Sequence, residues 1–195
     1  MKKIYFDCGA HFGEGLRYFI DKYKMDDSWK IFSFEPNKIC FEKLVLDNPL
    51  SYATFINKAV WVFDGSVNFN AEYPPGGKDA IGAGSSIMPL EYWHPKSENN
   101  PGAGDVFDTY NVQCIDLSNF IAQNSSIGDT VIVKLDVEGS EFDILRKMLS
   151  DKTIKRISVL YVEFHDFCYS KESCQSKDEL ISMIQNEGVP VYGHF

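Results

Sequence analysis

The sequence predicts an α/β domain in which a mainly parallel sheet carries helices on both faces and is interrupted by a long central loop. Short apolar runs, such as Thr130–Leu135, alternate with segments whose apolar residues recur at helical spacing,. The run at residues 3–8 ends in Asp-x-Gly, which is typical of a buried parallel strand,. A chain of 195 residues suits one ordinary domain, so we expect a single domain over residues 1–195,.

The first half of the chain alternates between predicted strands and predicted helices. Apolar residues recur at helical spacing from Leu16 to Tyr23, and Asn37 is placed to cap a second helix that ends at Asn48,. An Asp-Gly pair ending at Gly65 indicates a hairpin-type turn,. The strands are predicted at residues 3–8, at residues 31–34, at residues 53–56 continuing to residues 59–61, and at residues 67–69.

The central residues 71–105 show no sustained periodicity and are rich in Gly, Pro, Ser and Asn. A loop of this length in a compact domain is usually functional or disordered. Because it also carries apolar and aromatic side chains, including Tyr73 and Trp93, we expect a partly ordered lid or substrate loop. Such aromatic rings are suited to stack on a sugar, although packing beneath the lid explains them equally well.

The second half resumes the alternation of strands and helices. Thr130–Leu135 is the clearest buried strand and is followed by a helical pattern that begins near Phe142,. Ser176 and Glu179 are spaced as a capping box for the last helix, and Gly188 is expected to end it,. Further strands are predicted at residues 112–115, 157–164 and 189–192, with a short helix after the first of them.

The chain is acidic, with 28 Asp and Glu residues against 19 Lys and Arg residues and a net charge of −9. This charge repels phosphate backbones and argues against a nucleic-acid partner, while it is compatible with a small neutral acceptor or a cationic cofactor. Five cysteines without a CxxC pair indicate neither a disulfide framework nor a zinc ribbon, and no apolar run approaches a membrane span,. We therefore expect a cytoplasmic protein.

Ligands bind at the carboxyl ends of the strands in parallel α/β sheets, and two such ends carry binding features. Asp7, Gly9 and Gly13 lie in a glycine-containing turn between the first strand and the first helix,. This turn lacks both the Gly-Lys-Ser/Thr and the GxGxxG signatures of diphosphate sites. Glu35 ends the second strand, where its carboxylate is placed to accept hydrogen bonds from a ribose diol,. Together these features favour a nucleoside cofactor over an ordinary glycine turn.

Several sequence blocks together resemble the FkbM family of S-adenosylmethionine-dependent methyltransferases. The resemblance spans residues 4–165, and it implies the Rossmann-like class I methyltransferase fold and O-methylation of hydroxyls on sugars or natural products. His11 stands where the wider superfamily typically has glycine and where this family commonly has His or Asn. The blocks are DCGAHFG at residues 7–13, FEPN at residues 34–37, NKAV at residues 57–60, DL at residues 116–117, KLDVEGSE at residues 134–141 and EFH at residues 163–165.

The same resemblance implies the cofactor contacts residue by residue. A carboxylate near the sulfonium agrees with elementary electrostatics, because a cation is stabilised by neighbouring negative charge. S-adenosyl-L-homocysteine is the expected product. The implied contacts are Asp7, Gly9, Ala10, His11, Phe12 and Gly13 beside the methionine part, Glu35 with Pro36 beside the ribose, Asn57, Lys58 and Ala59 beside the adenine, and Asp136 beside the sulfonium.

Methyl transfer to an alcohol requires alignment and is helped by a general base, which contributes about 10²–10⁴-fold. The ends of two predicted strands carry four candidate bases, Asp136, Glu138, Glu163 and His165. Of these, His165, Asp136 and Glu138 are taken as the candidate catalytic residues. His165 is preferred because an ordinary imidazole titrates near neutrality, with a bond to the backbone as the alternative. Glu138 alternatively caps the next helix. The three residues have the chemistry of a divalent-metal site, but nothing in their spacing requires one, so we predict no metal ligand.

The sequence therefore predicts an S-adenosylmethionine-dependent O-methyltransferase that acts on a hydroxyl of a sugar or glycan. One alternative acceptor is a polyketide or lipid-like hydroxyl, which would favour a more apolar lid. Another alternative is a cofactor-binding module without chemistry. A nicotinamide oxidoreductase is disfavoured because the GxGxxG signature is missing.

Overall fold

The computed structural model describes residues 1–73, 84–89, 106–165 and 171–193, with the side chains of residues 106–107 and 171–176 outside that description. The strands are β1 (Lys3–Cys8), β2 (Trp29–Phe34), β3 (Ala53–Ile56), β4 (Ala59–Trp61), β5 (Gly65–Tyr73), β6 (Val106–Asp116), β7 (Thr130–Leu135), β8 (Val159–Val162) and β9 (Val191–Gly193). The helices are α1 (Glu14–Tyr23), α2 (Lys38–Asp47), α3 (Leu117–Asn124), α4 (Glu141–Ser150) and α5 (Lys171–Asn186), with a 3-10 turn at Thr153–Arg156.

Six strands form a central sheet of order β3-β2-β1-β7-β8-β9, in which every neighbouring pair is parallel. Ile4, Tyr5 and Phe6 of β1 have no solvent exposure, because helices cover both faces of the sheet. Burial on both faces explains why the strand reads as a continuous apolar run. The predicted fold class, a Rossmann-like parallel sheet flanked by helices, is confirmed.

Two hydrophobic cores lie on opposite faces of this sheet. Tyr5 and Ile132 pack with residues of α1 and α2 on one face. Phe6 and Val133 pack with residues of α3, α4 and α5 on the other face. Successive side chains of a strand alternate between faces, so β1 and β7 contribute to both cores. Within the described ranges, no helix combines the length and the apolar character needed to cross a membrane.

A second sheet of three strands has the order β4-β6-β5. β5 and β6 are antiparallel over nine residue pairs, from Gly65↔Cys114 to Tyr73↔Val106, whereas β4 is parallel to β6. The Asp-Gly turn at Gly65 reverses the chain as expected. It does not form a two-stranded hairpin, however, because β4 and β5 lie on opposite sides of β6.

Asn57 and Lys58 divide the third strand, which the sequence predicts as continuous. The carbonyl of Ile56 accepts hydrogen bonds from Glu35 N at 3.1 Å and from Lys58 N at 2.9 Å. Asn57 Nδ2 donates to the carbonyl oxygens of Glu35 at 2.8 Å and of Pro36 at 3.1 Å. These bonds hold a turn, so that β3 stays in the large sheet and β4 enters the small one. The prediction of one continuous strand is wrong.

Part of the predicted central loop is regular structure. β5 continues to Tyr73, and the backbones of Asn70 and Ser86 exchange hydrogen bonds of 2.8 Å and 3.0 Å. Residues 84–89 therefore dock on β5. The rest of the predicted loop, including Trp93, lies outside the described residues.

The last helix begins earlier than the sequence predicts. α5 starts at Lys171, so Ser176 and Glu179 lie inside it and the predicted capping box is wrong. The spacing Ser-x-x-Glu also occurs within helices, because Glu is a good helix former. Gly188 follows the helix with a φ of +85°, as expected of a residue that ends a helix,. The chain then forms β9, which is short and parallel to β8.

The buried ammonium group of Lys134 joins the carboxyl ends of β1 and β7. Its Nζ donates to the carbonyl of Gly9 at 2.6 Å and lies 3.1 Å from Asp136 Oδ2 and 3.9 Å from Asp7 Oδ1. Lys134 is 3% exposed and Asp7 is 0% exposed. Burial alone would lower the pKa of Lys134, but the carboxylates of Asp7 and Asp136 raise it, so the lysine stays charged.

Gly9 brings the turn after β1 against the turn after β7. Gly9 has a φ of +78°, and a Cβ at this position would lie 1.8 Å from the carbonyl oxygen of Asp136. The amides of Gly9 and Ala10 both donate to Phe34 O, at 3.1 Å and 2.9 Å. Only glycine permits this approach, because any side chain would push the two turns apart.

We expect Lys134→Met to lower the free energy of unfolding by about 3–5 kcal/mol, because it leaves Asp7 as a buried carboxylate without its cation. The double variant Lys134→Met with Asp7→Asn removes both charges and should recover part of this loss. Urea unfolding monitored by circular dichroism measures both variants. A loss below about 1 kcal/mol for Lys134→Met would contradict the role of this ion contact.

We expect Gly9→Ala to destabilise the fold more than Gly128→Ala does. Both glycines have a positive φ, so each substitution introduces backbone strain of about 1–3 kcal/mol,. A Cβ at Gly128 would meet nothing within 4 Å, whereas a Cβ at Gly9 would meet the backbone of Asp136. The difference between the two urea unfolding curves therefore measures the close approach alone. Equal losses of stability would show that the two turns can separate freely.

Candidate active site

A cavity of about 290 Å³ lies at the carboxyl ends of β1, β2 and β7. Ligands bind at this edge in parallel α/β sheets, so the cavity occupies the expected place. Glu138, one of the candidate catalytic residues, is part of its lining. The cofactor-contact residues that the structure brings together around it are Gly9, Ala10, His11, Glu35, Pro36, Lys58, Ala59 and Asp136.

Four other predicted cofactor contacts support the surrounding loops. Asp7 is fully buried, accepts a hydrogen bond from Ser33 Oγ at 2.9 Å and faces Lys134. A Cβ at Gly13 would lie 2.7 Å from the Asn48 side chain, so this glycine serves packing between α1 and α2. In this structure these residues support the loops around the cavity, and their direct contact with the cofactor stays a prediction. The four residues outside the cavity lining are Asp7, Phe12, Gly13 and Asn57.

Glu35 holds the loop after β1 and the start of α2 together. Its Oε2 accepts a hydrogen bond from His11 N at 2.8 Å, and its Oε1 accepts one from Asn37 N at 2.8 Å. Glu35 as a whole is 6% exposed. Burial raises the pKa of Glu35 to about 7, although these two backbone hydrogen bonds oppose the change. Each carboxylate oxygen has a second lone pair, so the group can also accept hydrogen bonds from a ligand in the cavity.

Asn37 caps α2 as the sequence predicts, and it also presents a polar group to the cavity. Its Oδ1 accepts hydrogen bonds from Ile39 N at 3.0 Å and Cys40 N at 3.4 Å. Its Nδ2 is buried and has no hydrogen-bond partner among the residues that the structure describes. A buried donor of this kind is normally satisfied, so Asn37 Nδ2 marks a place where a ligand oxygen fits.

The turn between β7 and α4 is held by Glu141. This carboxylate is 0% exposed, and its Oε1 accepts a hydrogen bond from Val137 N at 2.9 Å. Gly139 N donates to both of its oxygens, at 3.3 Å and 3.1 Å. The sequence predicts Glu138 as an alternative cap of this helix. Glu141 satisfies these amides instead, which leaves the Glu138 carboxylate on the cavity side.

His165 lies in a group of acidic side chains at the ends of β7 and β8. Its Nδ1 is 3.0 Å from Glu141 Oε1. On the other side of the ring, Nε2 lies 3.3 Å from Glu138 Oε2, 3.8 Å from Glu163 Oε1 and 3.9 Å from Asp136 Oδ1. The three candidate catalytic residues, Asp136, Glu138 and His165, are therefore brought together.

These carboxylates change the protonation behaviour of His165. Burial alone would lower its pKa, but the hydrogen bond to Glu141 and the nearby carboxylates raise it to about 9. Burial raises the pKa of Glu138 to about 8, with His165 opposing and Asp136 adding to the change. This raised pKa differs from the ordinary imidazole value on which the choice of His165 as the general base rests, and that role stays a prediction. The main physical cause of the rise is Glu141, which belongs to another element and lies 24 residues earlier in the chain.

Residues 84–89 connect the small sheet to the acidic turn. Ser86 is buried, its hydroxyl donates to the carbonyl of Glu138, and the same hydroxyl accepts a hydrogen bond from Met88 N at 3.0 Å. Ser85 and Ile87 line the cavity together with Phe69 of β5. This part of the predicted lid thus borders the site.

Three residues that shape the site are not predicted from the sequence: Lys134, Asn37 as a cavity residue, and Ser140. Lys134 carries a usable signal, because a lysine between Val133 and Leu135 in a strand buried on both faces must have an anionic partner,. Ser140 gives no such signal. Its hydroxyl is fully buried, lines the cavity and has no hydrogen-bond partner within the described part of the chain.

Comparison with known proteins agrees with this fold. The chain is similar to the structure described as Methyltransferase FkbM from Methylobacillus flagellatus KT, with a TM-score of 0.53 and 15% sequence identity. That similarity covers 93% of this chain and 37% of the other, so this chain spans little more than a third of the other protein's length. At this identity the likeness supports the fold alone. A comparison with curated proteins gave no match.

The family assignment rests on sequence. The profile described as Methyltransferase FkbM domain matches residues 7–189, which include every residue that lines the cavity. The chain belongs to the FkbM family of methyltransferases.

Proposed function

We propose that this chain is an S-adenosylmethionine-dependent O-methyltransferase whose acceptor is a hydroxyl of a sugar or glycan. The observation that carries the proposal is the fixed carboxylate of Glu35, which faces a cavity between the turn after β1 and the Lys58-Ala59 segment. Family membership supports methyl transfer as the reaction. The identity of the cofactor and the class of the acceptor go beyond family membership and are proposed here.

The cavity suits an adenosine group for three physical reasons. Glu35 can accept hydrogen bonds from the two ribose hydroxyls, and the buried Nδ2 of Asn37 can donate to one of the ribose oxygens,. Ala59 and Val60 offer apolar surface for the adenine ring. Asp136 and Glu138 supply negative charge on the β7 side of the cavity, where a sulfonium cation would be stabilised,.

The acceptor oxygen must reach the methyl group in line with the sulfur. When bound, S-adenosylmethionine supplies an electrophilic methyl group, whose bond to sulfur breaks as the bond to oxygen forms, and sulfur keeps the electron pair. The chain's own contribution is to fix both reactants, which is worth roughly 7 kcal/mol or more in favourable cases. The hydroxyl proton leaves toward the acidic side chains around His165 at the edge of the cavity.

The acceptor approaches from the side that carries residues 84–89. Phe69 and Ile87 present apolar surface there, while Ser85 and Glu138 present polar groups. A sugar ring matches this combination, because it has apolar faces and polar edges. In this proposal, residues 71–105 act as the lid or substrate loop of a single domain.

We expect Glu35→Gln to weaken the binding of S-adenosylmethionine and S-adenosylhomocysteine by about 10- to 100-fold, because hydrogen bonds to a charged acceptor contribute about 1.5–3 kcal/mol. Isothermal titration calorimetry measures this loss, with NAD as the competing ligand class. Glu14→Gln is the matched control, because it makes the same chemical change at a more exposed residue of the cavity lining. Binding of NAD alone, or equal effects of the two substitutions, would refute the site.

We also expect the affinity for the cofactor to depend on pH through Glu35. Because burial raises the pKa of Glu35 to about 7 and the ribose hydroxyls favour its ionised form, affinity should fall as the pH drops below about 7,. The fall is at most about tenfold per pH unit for one group. Glu35→Gln should remove this dependence. The titratable and charged groups that influence Glu35 are Lys134, Asp7, Cys40 and Tyr110, and all of them are retained in the variant.

We expect His165→Gln to retain the affinity for S-adenosylhomocysteine and to lower methyl transfer by about 10²-fold or more. Glutamine keeps a donor for Glu141 but cannot replace the imidazole between Glu138 and Asp136. Transfer of a radiolabelled methyl group to a panel of free sugars, methyl glycosides and long-chain alcohols measures the loss and the acceptor class together. Unchanged turnover would remove His165 from the reaction, and transfer to the alcohols alone would replace the sugar by a lipid-like acceptor.

A further inference from the structure

We infer that Asp136, Glu138 and His165 bind one divalent cation at the edge of the cavity, and that this cation holds the acceptor through two neighbouring oxygens. The inference rests on the proposed function, because it concerns the acceptor side of the same site. It goes beyond that function by adding a metal and by narrowing the acceptor to a vicinal diol or a comparable pair of oxygens.

The distances among the three side chains match a single small cation. One ligand atom from each residue lies within 4.8 Å of the other two. In an octahedral site with bonds of about 2.1 Å, adjacent ligand atoms are about 3.0 Å apart and opposite ones about 4.2 Å apart. The distances from His165 Nε2 to Glu138 Oε2 (3.3 Å) and to Asp136 Oδ1 (3.9 Å) fall in that range.

Glu141 orients His165 as a metal ligand is usually oriented. A histidine that binds a metal through one nitrogen almost always donates a hydrogen bond from the other nitrogen, often to a carboxylate. Here Nδ1 contacts Glu141, which is itself held by the amides of Val137 and Gly139. This leaves Nε2 directed at Asp136 and Glu138. The ring is thus fixed by a buried partner that cannot itself reach the cation.

The charge balance leaves room for a cation. The carboxylates of Asp136, Glu138, Glu141 and Glu163 all lie within 4 Å of a nitrogen of His165. Lys134 contacts Asp136 through Oδ2, but the same lysine also faces Asp7. Among the described residues, the carboxylates in this group outnumber the two cationic side chains, Lys134 and His165. A divalent cation would neutralise this excess.

A second, independent observation is the hydroxyl of Ser140. It is fully buried, and no hydrogen-bond partner for it exists among the described residues. Ser140 lines the cavity together with Asp136 and Glu138. A buried hydroxyl without a partner is unusual, and a water bound to the cation or an oxygen of the acceptor would satisfy it.

The ligand set indicates the kind of metal and of acceptor. Two carboxylates with one imidazole suit a cation of the Mg²⁺ or Mn²⁺ class, which prefers six ligands. Three protein ligands leave three positions, enough for two oxygens of the acceptor and one water. Two hydroxyls on neighbouring carbons can fill two adjacent positions, whereas an isolated hydroxyl fills one.

The cation would assist methyl transfer without changing its oxidation state. Bound there, it would lower the pKa of the acceptor hydroxyl, and Glu163 would accept the proton and release it to water. Glu163 is suited to this step because its side chain is 41% exposed and its Oε1 lies 3.8 Å from His165 Nε2. The resulting alkoxide forms a bond to the methyl carbon, the carbon–sulfur bond breaks, and the sulfur leaves as a neutral thioether.

The test is direct binding of Mn²⁺ to the full chain after treatment with EDTA, measured by electron paramagnetic resonance of free Mn²⁺ without cofactor or acceptor. We expect one bound ion per chain. Glu138→Gln and His165→Gln should each weaken binding by at least tenfold, and Glu141→Gln should weaken it by about 10–100-fold through the orientation of His165. Asp143→Asn is the matched control, because it removes an exposed carboxylate of α4 and should change the affinity less than twofold.

Circular dichroism and S-adenosylhomocysteine titration of each variant separate loss of the metal site from loss of the fold. Absence of a one-to-one Mn²⁺ site, or equal effects of Glu138→Gln and Asp143→Asn, would overturn the metal while leaving cofactor binding intact. Mn²⁺ binding without binding of S-adenosylhomocysteine would overturn the proposed function and retain the metal. Methyl transfer that is equally fast to vicinal diols and to isolated alcohols would overturn the chelating acceptor.

Discussion

The rest of this site depends on the ion contacts of Lys134 with Asp7 and Asp136. The ammonium group of Lys134 is buried between the ends of β1 and β7. A lone ammonium group at this depth would be strongly disfavoured, and so would the fully buried carboxylate of Asp7,. Together with Asp136 and the Gly9 carbonyl they satisfy one another. This contact, and the absence of a side chain at Gly9, set the distance between the two turns that border the cavity. The cavity exists because both conditions are met.

The two sides of the cavity are built by different physical means. On the side of β1 and β2, backbone amides are the main donors, and Glu35 gathers two of them. On the side of β7 and β8, the main interactions are among ionisable side chains. Glu141 contacts both the backbone of the turn after β7 and the ring of His165. The first side suits neutral, hydrogen-bonding groups such as a ribose. The second side suits a positive charge and the release of a proton. Methyl transfer from a sulfonium needs both kinds of environment, because the cofactor carries a neutral ribose and a cationic sulfur.

Sequence reasoning succeeds where the determining interactions are local. The parallel sheet is predictable because strands buried on both faces leave continuous apolar runs, and the Asn37 cap is predictable because it acts on amides two and three residues ahead. The break at Asn57 is not predictable in this way, since apolar residues continue on both sides of it. It depends on carbonyls of Glu35 and Pro36, which are more than twenty residues away. The pairing of β4, β5 and β6 into a second sheet is likewise set by distant partners.

In the candidate site, too, the features set by local sequence are predictable and those set by distant neighbours are not. Glu35, Asp136, Glu138 and His165 can be picked from the sequence because each follows a strand, and parallel strands bring their carboxyl ends to one edge. The contact of Asp7 with Lys134 and the raised pKa of His165 are not predictable from the local sequence, because both depend on neighbours from other elements.

Asp136 links the two sides of the cavity, since its Oδ2 contacts Lys134 while its Oδ1 lies toward His165. A substitution at Asp136 would therefore disturb the fold, the cofactor side and the acceptor side together. Glu35 and Glu138 each belong to one side only, so their substitutions can separate cofactor binding from the chemistry at the acceptor. The two effects can be separated because β1 lies between β2 and β7 in the sheet. The two sides of the cavity are linked through the residues that Lys134 contacts.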